Sequence, residues 1–227
     1  DRTMSLSTSG VTAGTFGSTK QLSALTVDAY GRVTNATQAN ISQAFGRVKI
    51  VGVDANTIQG CIDQITDAHY NTQWWVLIPP GEYTESLTLK PCVNISGMAQ
   101  NNGNSRITKI KGVHTYAGSA TASDNYIQIS GLSLDGSVTG QPALSLTSTS
   151  GNNSLVHILD CNIAQTGTAT SEVVVRIGAK VYVTAFNVTT NANSTSGQGG
   201  THWDINNGSL TIDASRTQYG TRAVLMR

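Results

Sequence analysis

Cleavage of a glycosidic bond needs two carboxyl groups roughly 5–10 Å apart, and this 227-residue chain has 13 acidic residues from which to draw them. The candidates drawn from the strand-rich part of the sequence are Asp135, Asp160, Glu172 and Asp213. Asp135 lies in Leu134-Asp-Gly-Ser137, which reads as an ordinary turn. Asp160 stands where related segments carry Gly or Ala, a tight corner that tolerates Asp. Asp213 takes a position facing away from the apolar side of its segment. No two of the four share a spacing that pairs them, so the expectation is that no catalytic pair exists. Glu82 and Glu85 flank Tyr83 in a Pro-Gly turn, and Asp63 and Asp67 are four residues apart on a predicted helix; both sets read as solvated faces.

The remaining chemistry-bearing residues are sparse. His69, His114, His157 and His202 show no HxH or HxxxH spacing, so no metal site is expected. His202-Trp203-Asp204 is the one aromatic cluster with a polar partner, and an exposed Trp203 beside His202 would offer a face for a sugar ring. The competing and preferred reading packs Trp203 into the last apolar segment or a contact between chains. Cys61, Cys92 and Cys161 are odd in number, with no CxxC pair, and read as three buried free thiols in a protein assembled in a reducing cytoplasm. Neither a nucleophile-elbow Gly-x-Ser-x-Gly nor a P-loop is present. No cofactor is implied.

Composition bounds the class of protein. Charged residues make up 12 % of the chain, against about 25 % in ordinary globular domains. Ser and Thr together number 53 and Gly 23, yet hydrophobic residues still reach 38 %, grouped in Val/Ile/Leu pairs and triplets. That combination describes many short strands separated by Gly/Ser/Asn turns, an all-β chain rather than a disordered one. The net charge of +1 leaves no basic footprint for nucleic acid. No window approaches the ~18 apolar residues of a membrane span, so no membrane insertion is expected. The chain opens on Asp1 rather than Met, which reads as a fragment or a processed product.

Two regions follow from the patterning. Residues 1–46 hold a hairpin signal: Leu25 and Val27 alternate with polar neighbours, Ala29-Tyr30-Gly31 turns, and Arg32-Val33-Thr34 resumes. A lone hairpin is marginal, so this stem needs partners. Residues 47–227 open with the one helix candidate, where Asp54 is a possible cap and Ile58, Cys61, Ile62 and Ile65 share a face up to about His69. Trp74–Ile78 then reads as a strand buried on both faces. From Ile95 onward an irregular repeat aligns Ile95, Ile129, Ile158, Val183 and Ile212, with spacings of 34, 29, 25 and 29. Such a period in a strand-only chain predicts a β-solenoid whose inward residues stack in columns. Inserts at 112–123, 166–171 and 191–200 would project as loops.

Two strings resemble known families. Val11-Thr-Ala-Gly-Thr-Phe-Gly-Ser18 followed by Leu25-Thr-Val-Asp-Ala-Tyr-Gly-Arg-Val-Thr34 resembles a repeat of phage tail fibres and of fibre-like proteins of large viruses. Ile58-Gln-Gly-Cys-Ile-Asp63, Trp75-Val-Leu-Ile-Pro-Pro-Gly-Glu-Tyr-Thr84 and Leu87-Thr-Leu-Lys-Pro-Cys-Val-Asn-Ile-Ser-Gly97 are similar to the opening of a pectate-lyase-like right-handed parallel β-helix. The resemblance implies a short right-handed parallel β-helix of about five rungs with an N-terminal capping helix and a β-hairpin stem, assembled as a homotrimer. It also implies a structural virion protein of a tail fibre or tailspike, joined to other virion proteins and attaching to a host surface polysaccharide or glycan. A polysaccharide-depolymerising tailspike, lyase or hydrolase, and a purely architectural connector are the alternatives that the resemblance leaves open.

Overall fold

A computed structural model describes residues 10–42, 46–98, 108–118, 125–148, 152–166, 173–192, 200–213, 215–218 and 220–226. The chain divides into two compact units, one up to Gly46 and one from Arg47 onward. In the first, β1 (Gln21–Val27) and β2 (Val33–Asn40) pair antiparallel from Gln21↔Asn40 to Val27↔Val33, with an irregularity at Thr26/Val27. Asp28 builds the turn. Its Oδ1 accepts the N–H groups of Tyr30 and Arg32, both at 2.9 Å, and its Oδ2 accepts from Arg32 Nε at 2.7 Å, while Gly31 takes a φ of 79°. An Asp side chain bonding its own backbone two residues on is a standard way to fix such a turn, and Gly supplies the left-handed φ without steric cost. Leu22, Leu25 and Val27 remain exposed on this ribbon.

The second unit is nearly all β. After β3 (Val48–Ile50) and helix α1 (Ile58–Asp63) come six strand triplets. The first is β4 (Trp74–Ile78), β5 (Gly81–Thr84) and β6 (Thr88–Leu89); the second β7 (Val93–Gly97), β8 (Thr108–Lys111) and β9 (His114–Gly118). The third is β10 (Tyr126–Ser130), β11 (Ser133–Gly136) and β12 (Leu144–Ser148); the fourth β13 (Ser154–Leu159), β14 (Asn162–Gln165) and β15 (Val173–Ile177). The fifth is β16 (Val181–Phe186), β17 (Thr189–Ala192) and β18 (Gly200–Ile205); the last β19 (Ser209–Asp213), β20 (Arg216–Gln218) and β21 (Gly220–Met226). The first members of the triplets join β3 in one parallel sheet, the second members form another and the third members a third. The result is a parallel β-solenoid of about five turns, as the repeat predicts.

Alternation along each strand decides which residues fill it. In the first sheet Val76, Ile95, Ile129, Ile158 and Ala185 stack in register and are fully buried. The second sheet contributes Ile110, Leu134, Ile163 and Thr190, and the third Leu89, Tyr116, Leu146, Ile177 and Ile205. The columns end at β19 and β21, where the inward positions Ile212, Val224 and Met226 are 41 %, 41 % and 78 % exposed, because no described strand lies beyond them.

Several expectations need correction. Ile158 pairs with Ala185, not Val183, so the first-sheet spacings are 34, 29, 27 and 27. A slip of two residues keeps every side chain on its own face, so the apolar pattern does not detect it. Residues 112–123 are not simply a projecting insert, since His114–Gly118 forms β9 with His114 and Tyr116 inward. Trp74–Ile78 buries Val76 and Ile78 fully and its other residues only partly. Helix α1 is short and its N-cap is Thr57, whose side chain accepts from Gly60 N–H at 3.0 Å. Asp54 instead accepts the Ile50 N–H at 2.7 Å. Glu85 is not a solvated side chain: its two oxygens accept the Ile58 and Gln59 N–H groups at 3.0 Å each. At the other end Lys90 Nζ donates to the carbonyls of Ile62, Asp63 and Ile65 at 3.1, 3.4 and 3.4 Å. The segment around β6 thus satisfies both termini of the helix, with charges of the sign the helix dipole favours. Ile58, Cys61, Ile62 and Ile65 join the same core as the rungs.

One inward position of the third sheet holds a histidine. His114 stacks below Leu144, fully buried, and neither ring nitrogen reaches a hydrogen-bond partner of normal geometry. Burial outweighs the opposing influence of the Ile110 backbone and Asp135 and pushes its pKa down from 6.5 to about 4. The unfolded chain therefore takes up the proton first as pH falls. The contribution of neutral His114 to stability is complete above pH 6.5 and is lost progressively as pH falls toward 4, at up to about 1.4 kcal/mol per pH unit. Replacing His114→Leu is expected to flatten the pH dependence of the denaturation free energy between pH 6.5 and 4 relative to the parent chain.

Candidate functional site

The same alternation that fills the core determines what the outer surface offers. On the first sheet the residues between the core columns point outward, and Tyr126, Leu155 and Tyr182 occupy one outward column on β10, β13 and β16. Leu155 and Tyr182 are 48 % and 43 % exposed. This column floors an open groove of about 490 Å³, completed by Tyr70, Asn125, Asn152 and Asn153. Tyr70 belongs to the segment after α1, and the three Asn residues lie in or beside the turns that lead into β10 and β13. Among the described residues no Lys, Arg, Asp or Glu lines the groove.

Its floor is held in place by side-chain contacts one column over. Tyr126 lies edge-on to His157, with ring centroids 5.1 Å apart and the planes at 73°, and its hydroxyl donates to Gln128 Oε1 at 3.3 Å. Burial pushes the Tyr126 phenol pKa up. The arrangement combines flat apolar faces with neutral hydrogen-bonding groups. It can bind an uncharged, amphipathic ligand, and it contains no acid, base or nucleophile at its floor.

The residues singled out from the sequence lie elsewhere. Asp135 is in strand β11 rather than a turn, only 9 % exposed, with Lys109 Nζ at 3.0 Å and the Thr166 hydroxyl donating to it at 3.1 Å. Asp160 sits at the corner after β13 with φ 51°, in line with Gly131 at 65° and Asn187 at 51°, and accepts from the Asn187 amide at 2.7 Å. A left-handed corner recurring on successive turns explains an Asp there, because Gly, Asn and Asp visit that conformation most readily. Asp213 is exposed at the end of β19, on the outward column of Phe186. Glu172 lies outside the described residues. None of Asp135, Asp160 and Asp213 lines the groove, and they occupy three different columns.

Trp203 offers no face to solvent. It is 1 % exposed, in the core column of Leu144, Val175 and Val224, because strand alternation turns it inward. His202 is buried as well, its Nδ1 2.9 Å from Thr190 Oγ1, and burial lowers its pKa. Stacking of a sugar on Trp203 is therefore replaced by packing within the solenoid. The three cysteines are buried thiols outside any disulfide, and burial pushes Cys61 up to about 11. Among the described residues no group of three or more His, Cys, Asp or Glu is placed to hold a metal ion, and no helix is long and apolar enough to cross a membrane.

Sequence reasoning did not find Tyr126, Leu155 and Tyr182. The signal was present, since their separations of 29 and 27 equal the spacings of the inward residues on the same strands. The alignment followed the inward columns only. Comparison with protein-family models, with curated proteins and with solved structures found no match to this chain.

Trp203→Ala is expected to lower the unfolding free energy by about 3–5 kcal/mol, the usual cost of a large aromatic removed from a core. Chemical denaturation measures it, and an unchanged midpoint would contradict the buried placement.

Proposed function

We propose that this chain is a structural virion protein of a tail fibre or tailspike that attaches the particle to a glycan on the host cell surface. The observation that carries the reading is the Tyr/Asn groove on the outer face of the solenoid, with no charge among its described lining residues. A binding face of that kind suits sugar hydroxyls and C–H faces, and its described lining has no carboxylate of the kind a hydrolytic site needs. The fibre-like string Val11–Thr34 and the β-helix-like string Ile58–Gly97 support the same reading. Buried thiols outside any disulfide fit assembly in a reducing cytoplasm before release. The apolar side chains exposed on the β1–β2 ribbon support association of several copies, in which weak glycan contacts gain avidity by repetition. In this reading the protein works as a homotrimer joined to other virion proteins.

Binding rather than cleavage is also favoured by the partners of the acidic residues: Asp135 is held by Lys109 and Thr166, and Asp160 by Asn187. Light scattering combined with a reducing-sugar assay on host surface polysaccharide tests the reading. The expected result is a solution mass three times the 23.8 kDa of the chain with no sugar released. A monomer contradicts the spike reading, and sugar release contradicts the non-catalytic one.

A further inference from the structure

Resting on that reading, we infer that the groove over β10, β13 and β16 takes a neutral oligosaccharide lying along the solenoid axis, with about one sugar ring on each strand. The argument is one of commensurate spacing. Neighbouring parallel strands are about 4.8 Å apart, and Tyr126, Leu155 and Tyr182 stack in register on three of them. The two tyrosines are therefore two strand spacings apart, roughly 9.5 Å, with Leu155 between. A pyranose ring with its glycosidic oxygen advances a sugar chain by nearly one such spacing. Three consecutive rings then meet Tyr126, Leu155 and Tyr182 in turn, and Asn152 and Asn153 stand beside the chain to engage hydroxyls.

Other ligand classes fit less well. An acidic polysaccharide or a nucleic acid strand requires cationic partners, and none is among the described residues that line the groove. An extended peptide gains its affinity by adding to a sheet edge, whereas this surface is the face of a sheet whose strands are already paired on both sides. The floor alternates aromatic, aliphatic and aromatic residues, which suits the C–H faces of rings more than the separated pockets a helix would need. The position of the Tyr126 ring, braced by His157 and Gln128, makes one end of the floor pre-organised.

The test is titration of the full chain with neutral hexose and N-acetylhexosamine oligosaccharides of one to five residues, beside uronic-acid chains of equal length. Affinity is expected to rise from one residue to three and then to level off, with the uronic-acid series weaker throughout. Tyr126→Ala and Tyr182→Ala should each weaken binding at least ten-fold, while Tyr182→Phe, which keeps the ring, should stay within three-fold of the parent. Far-UV circular dichroism and denaturation midpoints identify any variant that fails to fold, and the Phe variant keeps the claim testable in that case. Binding that both Ala variants leave unchanged overturns this inference while leaving the attachment reading standing. Preference for the acidic series, or a change of solution mass in Tyr182→Ala in place of a change in binding, also overturns it, the latter by showing the groove to be a contact between copies. Absence of binding to every oligosaccharide and to host surface polysaccharide overturns both.

Discussion

The apolar side of each strand triplet is buried only when the triplets before and after it stack on it, and the rest of the molecule is arranged around that dependence. Burial of Ile95, Ile129, Ile158 and Ala185 exists only because β7, β10, β13 and β16 are held in one parallel register. A slip of one residue would turn the whole set outward, so the register is strongly specified wherever the column is apolar. The same dependence makes the two ends of the stack special. At the start, helix α1 and β3 join the core, and Glu85 and Lys90 satisfy the helix termini. At β19 and β21 the inward side chains Ile212, Val224 and Met226 keep much of their surface, the mark of a column that no described rung covers.

Because alternate residues face out, the solenoid presents rows of side chains at strand spacing, and the outer chemistry is organised in ladders. On the second sheet the rows are ionic. Lys109 pairs with Asp135, and Lys111 with Glu82. Such pairs neutralise one another and are worth little individually at the surface. On the first sheet one row is aromatic and aliphatic, and Asn125, Asn152 and Asn153 lie beside it. This division gives one face of the scaffold a row whose positions are fixed by backbone pairing rather than by loops, which is what the proposed glycan reading requires.

Much of the architecture was legible in the sequence, for a physical reason. Columns of Ile, Val and Leu must recur at the length of a turn, so Ile95, Ile129 and Ile158 could be aligned by eye. The register beyond Ile158 was not legible, because Val183 and Ala185 are both small apolar residues on the same face. Thr57 was passed over as N-cap because Asp54 is the stronger capping residue by type, and only the fold gives Asp54 another donor, the Ile50 N–H. Packing of Trp203 in an apolar segment was the preferred sequence reading, and its burial, with that of His202, leaves no exposed face for the sugar-stacking alternative. The groove was missed because outward Tyr126, Leu155 and Tyr182 differ in type from one turn to the next, and their proximity arises only from stacking.

Paired cysteines on neighbouring rungs test the stacking register directly. His157 and Thr184 face outward side by side on β13 and β16, 27 residues apart. Parallel neighbours about 4.8 Å apart lie within disulfide reach, whereas the diagonal pair His157 and Tyr182 is separated by roughly 8 Å. Under mild oxidation the double variant His157→Cys with Thr184→Cys should form an intramolecular disulfide, read by mass spectrometry of the digested chain, and His157→Cys with Tyr182→Cys should not. The opposite pattern, or cross-linking of neither pair, would contradict the register on which both the core and the groove depend.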